Sequence, residues 1–575
     1  MKKIISLLLV ACMLLAIAVS LTGCGAPKDS GASIDIYLGS SVYDLDPTDY
    51  YVDSNAEMLM SLIYEPLFKV VDGKLECAMA EDYVVDREER TIVITLRESY
   101  WSNNTRVKAA DFVYAWTERL LDPANPNPAA ALLYDIENAA ALKGGQASPA
   151  DVKVEATDIY ELTITYREGA DYKQLLKNLA SVATSPMRQP TDPSILGYWS
   201  KSLATILTNG AFRLASYDAL GLTLTRNKGY HQPFDIEDYD NEVNPGELVA
   251  FTTPLGEEIE LGYKDIENKV CFFLTDAPLD DRSANKDKAT LVDDTSVYSY
   301  VFNTRNPLFA DAKVRQALSM VIDREAIINA ITYGKAADGF VPDVSGGSDA
   351  ALISAKADLQ GAQQLLAQAN LPASVSKSFT LTVANDTESI AIANIVEAAW
   401  ESLGFNVTVK AVSTVATTVG QGPDAVTFND SEIQQLVKLA SVGEVKFDVI
   451  ALDWQTYTDD AFVALASLSS NMNGCGRELP NGNERPSITG WVNAEYDALI
   501  SAAYAAEGED RAKYLADAEA LLCESAPIVP LVFNQTGSFV SKELRKVDFD
   551  SFGNVIFTDA KQKNYQKYLE AKEED

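Results

Sequence analysis

Apolar residues recur along this chain with two different periods. Alternation marks Ser33–Leu38 (Ile34, Ile36, Leu38), Thr91–Leu96 and Tyr160–Tyr166 (Leu162, Ile164, Tyr166). It predicts half-buried strands, because successive strand residues point to opposite faces. Helical spacing marks Asn55–Leu67, where Met58, Leu59, Leu62 and Ile63 share a face, and Ala109–Leu121, entered by Asp111. Pro123–Pro128 breaks the chain beyond that second helix. Further on, Val314–Tyr333 predicts a helix pair and Asp358–Asn370 a helix ended by Asn370-Leu371-Pro372. Phe379–Val383, Ser389–Gly404 and Asn406–Val412 then read as strand, helix with a glycine stop, and strand. Such a unit is a βαβ crossover and implies a parallel strand pair. Ala494–Gly508 and Asp510–Glu524 predict two amphipathic helices, and Pro527–Phe533 an apolar strand bounded by proline. Interleaved strands and helices predict the α/β class.

The N-terminus has a pattern of its own. Lys2 and Lys3 precede an apolar run from Ile4 to Val19, and Leu21-Thr22-Gly23 stands directly before Cys24. Residues 1–23 read as a secretory signal, too short and wrongly flanked for a membrane span. Leu-Thr-Gly-Cys resembles a bacterial lipobox, which implies lipidation of Cys24 and cleavage on its N-terminal side, so that the body is anchored to a membrane without crossing it. Residues 24–32 have the Gly, Ala, Pro and Ser content of a flexible linker.

Composition narrows the chemistry. The 575 residues carry 47 Lys+Arg against 83 Asp+Glu, a net charge of -36, which argues against nucleic-acid partners. The single histidine, His231, disfavours His-rich metal sites and imidazole-dependent hydrolysis, and its expected role is surface or packing. Beyond Cys12 and Cys24 there remain Cys77, Cys271, Cys475 and Cys523, which allow up to two disulfides in three pairings and lack metal-site spacing. No dinucleotide, P-loop, zincin or nucleophile-elbow motif occurs. Paired acids such as Glu257-Glu258, Asp280-Asp281, Asp293-Asp294 and Asp459-Asp460 read as solvated surface rather than acid–base pairs. The expectation is a protein that is not an enzyme and holds no cofactor and no metal.

Several segments in order carry a family resemblance. Leu45-Asp46-Pro47, Ile63-Tyr64-Glu65-Pro66-Leu67, Met79-Ala80-Glu81-Asp82-Tyr83, Tyr100-Trp101-Ser102 and Ala110–Trp116 open it. Asn209-Gly210-Ala211-Phe212, Arg226–Tyr230, Phe302-Asn303-Thr304, Asp311–Leu318 and Ile322-Asp323-Arg324 continue it. Gly404–Val407, Phe447-Asp448-Val449, Glu495–Ile500 and Ala526–Leu531 complete it. Together these resemble the family-5 extracellular solute-binding proteins, the peptide- and nickel-binding components of ABC importers. The lone His231 argues against the nickel branch. Arg315 is expected to pair with a carboxylate or carbonyl, and Trp101, Trp116, Asn209 and Gly210 to pack or turn the chain.

The resemblance implies a two-lobed α/β clamshell of the type II-like periplasmic-binding-protein kind, with the additional domain of the peptide-binding branch. By motif order the first lobe covers 33–68, 185–305 and 530–575, the additional domain 69–184, and the second lobe 306–529. It also implies a monomer that captures oligopeptides between its lobes and delivers them to a permease and ATPase. The expected location is the extracellular face of the cytoplasmic membrane, or the periplasmic side where an outer membrane exists. Two other readings stay open on the same fold: a non-peptide solute, or a peptide-signal sensor. A secreted hydrolase is disfavoured.

Two segments carry the implied ligand site. In the peptide-binding branch a first-lobe stretch pairs with the ligand like an added strand, and a second-lobe Gly-Trp-x-x-Asp-Tyr segment supplies the other edge and an Asp for the peptide amine. Here the first is Tyr50–Ser54, with Tyr51, Val52, Asp53 and Ser54 as candidates. The second is Leu452–Asp460, with Asp453, Trp454, Tyr457 and Asp459. The match is partial: Asp453 replaces the Gly, Tyr457 stands where the Asp would be, and Pro128-Ala129 replaces a Pro-Tyr. The carboxylates of Asp53, Asp453 and Asp459 are offered to a cationic ligand, and Tyr51, Trp454 and Tyr457 as stacking faces.

Overall fold

The computed structural model describes residues 33–38, 44–48, 54–218, 221–231, 243–251, 272–275, 279–369, 371–414, 417–419, 427–429, 431–441, 443–473, 487–541 and 544–562. Residues 1–32, expected to be signal and linker, lie outside the described residues with Cys24 among them, as do Tyr51, Val52, Asp53, Cys271, Cys475 and the side chain of Ser54. Cys77 and Cys523 are free thiols.

Two long strands, Thr290–Phe302 and Ile528–Val540, run antiparallel to each other through the middle of an eleven-stranded sheet. On one side of this pair lie Val449–Gln455, Ser378–Ala384 and Asn406–Val412. On the other lie Phe272–Thr275, Ser33–Tyr37, Glu247–Phe251, Gly221–Arg226 and Phe212–Asp218. Each side contains a parallel core, Ser378–Ala384 with Asn406–Val412 and Ser33–Tyr37 with Glu247–Phe251. The sheet therefore belongs to two α/β lobes whose connection is the long pair. The pairing is interrupted at two places, a one-residue shift between Tyr298 and Ser299 and a larger one where Asp293 faces Gln535 and Val297 faces Phe533, so that Asp294, Thr295 and Ser296 stand opposite Asn534 alone. The excess of two residues between Asp293 and Val297 bends that strand, which places a bend between the lobes.

The predicted βαβ unit forms as a parallel pair from Ser378↔Asn406 to Ala384↔Val412, joined by the helix Thr387–Ser402. Asp386 starts that helix by accepting from the Ser389 backbone N–H at 2.7 Å, and Gly404 follows it at φ +84°. Trp400 anchors the helix, donating from Nε1 to Leu318 O at 2.8 Å and packing against Phe302 and Phe379. The helix Ser54–Ile63 ends four residues before its expected limit, because Leu67 leads into the strand Phe68–Val71.

A separate four-stranded antiparallel sheet comprises Ala80–Asp86, Thr91–Leu96, Glu161–Thr165 and Val154–Asp158. The helices Ala109–Tyr114, Ala115–Leu120 and Tyr172–Asn178 complete this unit. Trp101 and Trp116 are buried inside it, donating to Asp111 Oδ2 and Thr184 O. Arg315 is buried with its guanidinium on the Ser525 and Phe309 carbonyls, so carbonyls rather than a carboxylate hold it. His231 is largely buried, stacks on Tyr230 at 3.9 Å and pairs with Glu65.

Candidate ligand cleft

The Asp44–Thr48 segment and the second candidate segment, through Tyr457, converge on one turn. Asn125 in the Asp122–Pro128 turn donates from Nδ2 to Thr48 O at 2.9 Å, which fixes the end of the Asp44–Thr48 segment just before Tyr50–Ser54. The Asn127 backbone N–H is held by Asn125 Oδ1 at 2.9 Å, and Asn127 Oδ1 accepts from Tyr457 Oη at 3.3 Å. Tyr457 sits at φ +64°, a conformation that costs a non-glycine residue of order 1 kcal/mol, and its ring is buried. The neighbouring Thr458 donates to Asn178 Oδ1 at 3.0 Å.

Carboxylates shape the first segment. Asp46 is buried and receives Arg119 Nη2, Trp199 Nε1 and the Thr48 backbone and hydroxyl at 2.7–3.1 Å. Asp44 lies 3.3 Å from Lys201 and 3.8 Å from Lys438, the latter on the helix Glu432–Ser441. Burial, followed by these two carboxylates, holds the Tyr64 phenol well above its ordinary pKa, so it stays neutral.

On the second segment the strand Val449–Gln455 separates the candidates by alternation. Trp454 points to one face, where its ring meets Phe340 edge to face at 6.0 Å and its Nε1 is buried with no partner among the described residues. Asp453 points to the other and accepts from Asn534 Nδ2 at 2.7 Å, the same Asn534 that also donates to Ser296 Oγ at 2.8 Å. Asp453 is thus bonded to the lobe junction rather than placed beside Trp454. Asp459 accepts from Lys177 Nζ at 2.5 Å and Gln174 Nε2 at 2.8 Å, and Asp460 accepts from Arg511 Nη2 at 2.7 Å. Of the acids expected to hold a cation, Asp453 and Asp459 therefore already have partners within the chain, and Asp53 lies outside the described residues. A crevice of about 840 Å³ opens between the helices Tyr172–Asn178 and Gly508–Ser525, with Asp459 and Asp460 on its wall.

Sequence reasoning missed Asn125, Asn127 and Asn534. The two asparagines of the turn had a signal in the Pro-Ala-Asn-Pro-Asn-Pro run, whose composition favours side chains that bond their own backbone.

The fold has known counterparts. The sequence model of the bacterial extracellular solute-binding proteins, family 5, matches residues 74–474. The chain belongs to that family. Among curated relatives of this solute-binding protein is the dipeptide-binding protein DppE of Bacillus subtilis, 27 % identical over 492 residues that cover 82 % of each chain. The solved substrate-binding domain of an oligopeptide ABC transporter from Bacillus anthracis superposes with a TM-score of 0.75 at 19 % identity, over 93 % of this chain and 100 % of that one. The pheromone receptor PrgZ gives 0.75 at 21 % identity, over 92 % and 99 %. The family-5 protein described here is accordingly a two-lobed α/β binding protein and not an enzyme. None of its described helices is long and apolar enough to cross a membrane.

Proposed function

We propose that this chain captures oligopeptides between its lobes and presents them to the permease and ATPase of an ABC importer, held outside the cytoplasmic membrane by a lipid on Cys24. In this reading the peptide lies between the lobes formed by 33–68, 185–305, 530–575 and by 306–529, while 69–184 closes one end. The observation that carries it is the convergence of the Asp44–Thr48 and Asp453–Asp459 segments on the Asn125–Asn127 turn. Support also comes from the strand Val449–Gln455, which pairs with Ser378–Ala384 only through Val449 and Ile450. Among the described residues its edge beyond Ile450 has no strand partner, which suits an extended peptide added as a further strand. A ligand bridging both lobes stabilises the closed form only by its differential affinity for that form.

Native mass spectrometry of gently purified protein tests this reading. A retained series of peptide masses is expected, and a single non-peptide mass overturns it. Cys24→Ser is expected to release the protein from membranes in a fractionation assay. A non-peptide solute stands as the second reading because Tyr457, rather than an Asp, occupies the amine position and bonds Asn127.

A further inference from the structure

Lys143 ends the short helix Ala139–Lys143, and its side chain is 1 % exposed. Its Nζ donates to three backbone carbonyls, Leu120 O at 3.0 Å, Asp122 O at 2.9 Å and Asn125 O at 2.5 Å. An ammonium has three donors, and here three acceptors converge on it. Taking such a charge out of water is costly, so its place in the interior points to a part of the chain whose position depends on it.

That part is the Asp122–Pro128 turn. Leu120 closes the π-helical stretch Ala115–Leu120, after which the Leu121 N–H reaches back to Trp116 O at 2.9 Å. Carbonyls at a helix end lack partners within the helix, and π-helical turns are frequent at functional sites. Asp122 O also accepts from the Asn125 N–H at 3.0 Å, so the ammonium sits against a closed loop of backbone. From that loop the Asn125 side chain reaches Thr48 O at 2.9 Å, and Asn127 meets the Tyr457 hydroxyl at 3.3 Å. One buried cation thus braces the backbone that contacts both candidate cleft segments.

We propose that Lys143 is a positioning residue of the ligand cleft. It fixes the Asn125–Asn127 turn and, through the bond from Tyr457 to Asn127, sets the loop after Val449–Gln455 without touching the ligand. Its effect on affinity rests on the peptide reading above. Lysine suits this task because a tetrahedral ammonium meets three carbonyls from different directions, which the planar fork of arginine does not.

The test uses the full chain and two measurements. In the first, hydrogen exchange is followed in ligand-free wild type, Lys143→Met and Lys143→Arg. Both variants are expected to exchange faster over residues 122–129 and 456–460, and like wild type over 378–412. The second measurement takes the best-retained member of an equimolar library of unmodified tripeptides, identified by native mass spectrometry. It is titrated against wild type, Lys143→Met, Tyr457→Phe and the double variant. Lys143→Met is expected to weaken binding at least about fivefold on its own and less than about twofold beside Tyr457→Phe. Where Lys143→Met does not fold, Lys143→Arg takes its place in both measurements.

Faster exchange that stops short of residues 456–460 overturns the proposal whatever the ligand. Equal losses of affinity with and without Tyr457→Phe also overturn it, because Lys143 would then stabilise the fold without acting through Tyr457. A retained peptide whose affinity Lys143→Met leaves unchanged overturns it while the peptide reading stands. A library from which nothing is retained overturns the peptide reading instead, and exchange alone then decides whether Lys143 sets the turn and the loop.

Discussion

Lys177 Nζ lies 2.5 Å from Asp459 Oδ2, joining the helix Tyr172–Asn178 of the four-stranded unit to the loop that follows Val449–Gln455. Both side chains are about a third exposed, so the pair contributes on the order of 0.5–1 kcal/mol and is screened by salt. Lys177→Met and Asp459→Asn are therefore expected to weaken ligand binding alike, by less than about fivefold. In about 1 M salt the wild type should approach both variants. Calorimetric titration at two salt concentrations checks this. A much larger loss for Asp459→Asn than for Lys177→Met would instead make Asp459 a ligand contact.

Asp453 acts on a different part of the molecule. Its carboxylate holds Asn534, which in turn holds Ser296 in the bend of the long strand pair. Hydrogen bonds to a charged group contribute roughly 1.5–3 kcal/mol, so Asp453→Ala and Asn534→Ala should each destabilise by about that amount. Because they remove the same bond, their effects should fall short of additivity by at least about 0.5 kcal/mol in a double-mutant cycle measured by urea unfolding.

The contrast between these acids shows where local pattern stops being informative. The βαβ unit at Ser378–Val412 was legible because its apolar period, its Asp386 cap and its Gly404 stop are all local. The strands Thr290–Phe302 and Val449–Gln455 were not, since residues buried on both faces remove the alternation that marks a strand. The family motifs point to candidate cleft segments, but not to the condition of their side chains. Asp459 meets a lysine 282 residues away and Asp453 an asparagine 81 residues away, and no window of sequence contains either pair.

Gly210 belongs to the motif Asn209-Gly210-Ala211-Phe212, and its conservative replacement should be costly. Its N–H donates to Ile63 O at 2.8 Å, and a Cβ there would stand 2.6 Å from Ile63 C and 2.8 Å from Tyr64 N. These are backbone atoms at the end of the helix Ser54–Ile63 and cannot rotate away. Gly210→Ala is expected to destabilise by about 2 kcal/mol or more, read as a lowered urea midpoint with an unchanged slope. Asn209→Ala loses Oδ1 and Nδ2 bonds to the Glu65 backbone at 3.1 and 2.9 Å, and should cost roughly 1–3 kcal/mol.

Glu519 supplies the pH dependence. It is buried on the helix Gly508–Ser525 and accepts from the Phe340 and Val341 backbone N–H groups at 2.9 Å and from Ser348 at 3.1 Å. Burial pushes its pKa above the usual 4.5 despite these three donors, and Asp338 adds to the rise. A carboxyl with a raised native pKa binds more protons folded than unfolded just above pH 4.5, so its contribution to stability is whole below that pH. The contribution is lost as pH rises through the native value. Glu519→Gln cannot titrate, so the difference in unfolding free energy between wild type and variant should shift against the wild type as pH rises from 4.5. Chemical unfolding of both proteins at pH 4, 5, 6 and 7 measures this difference. A difference that stays constant across the series, or moves in the wild type's favour, would mean that the three N–H donors outweigh burial.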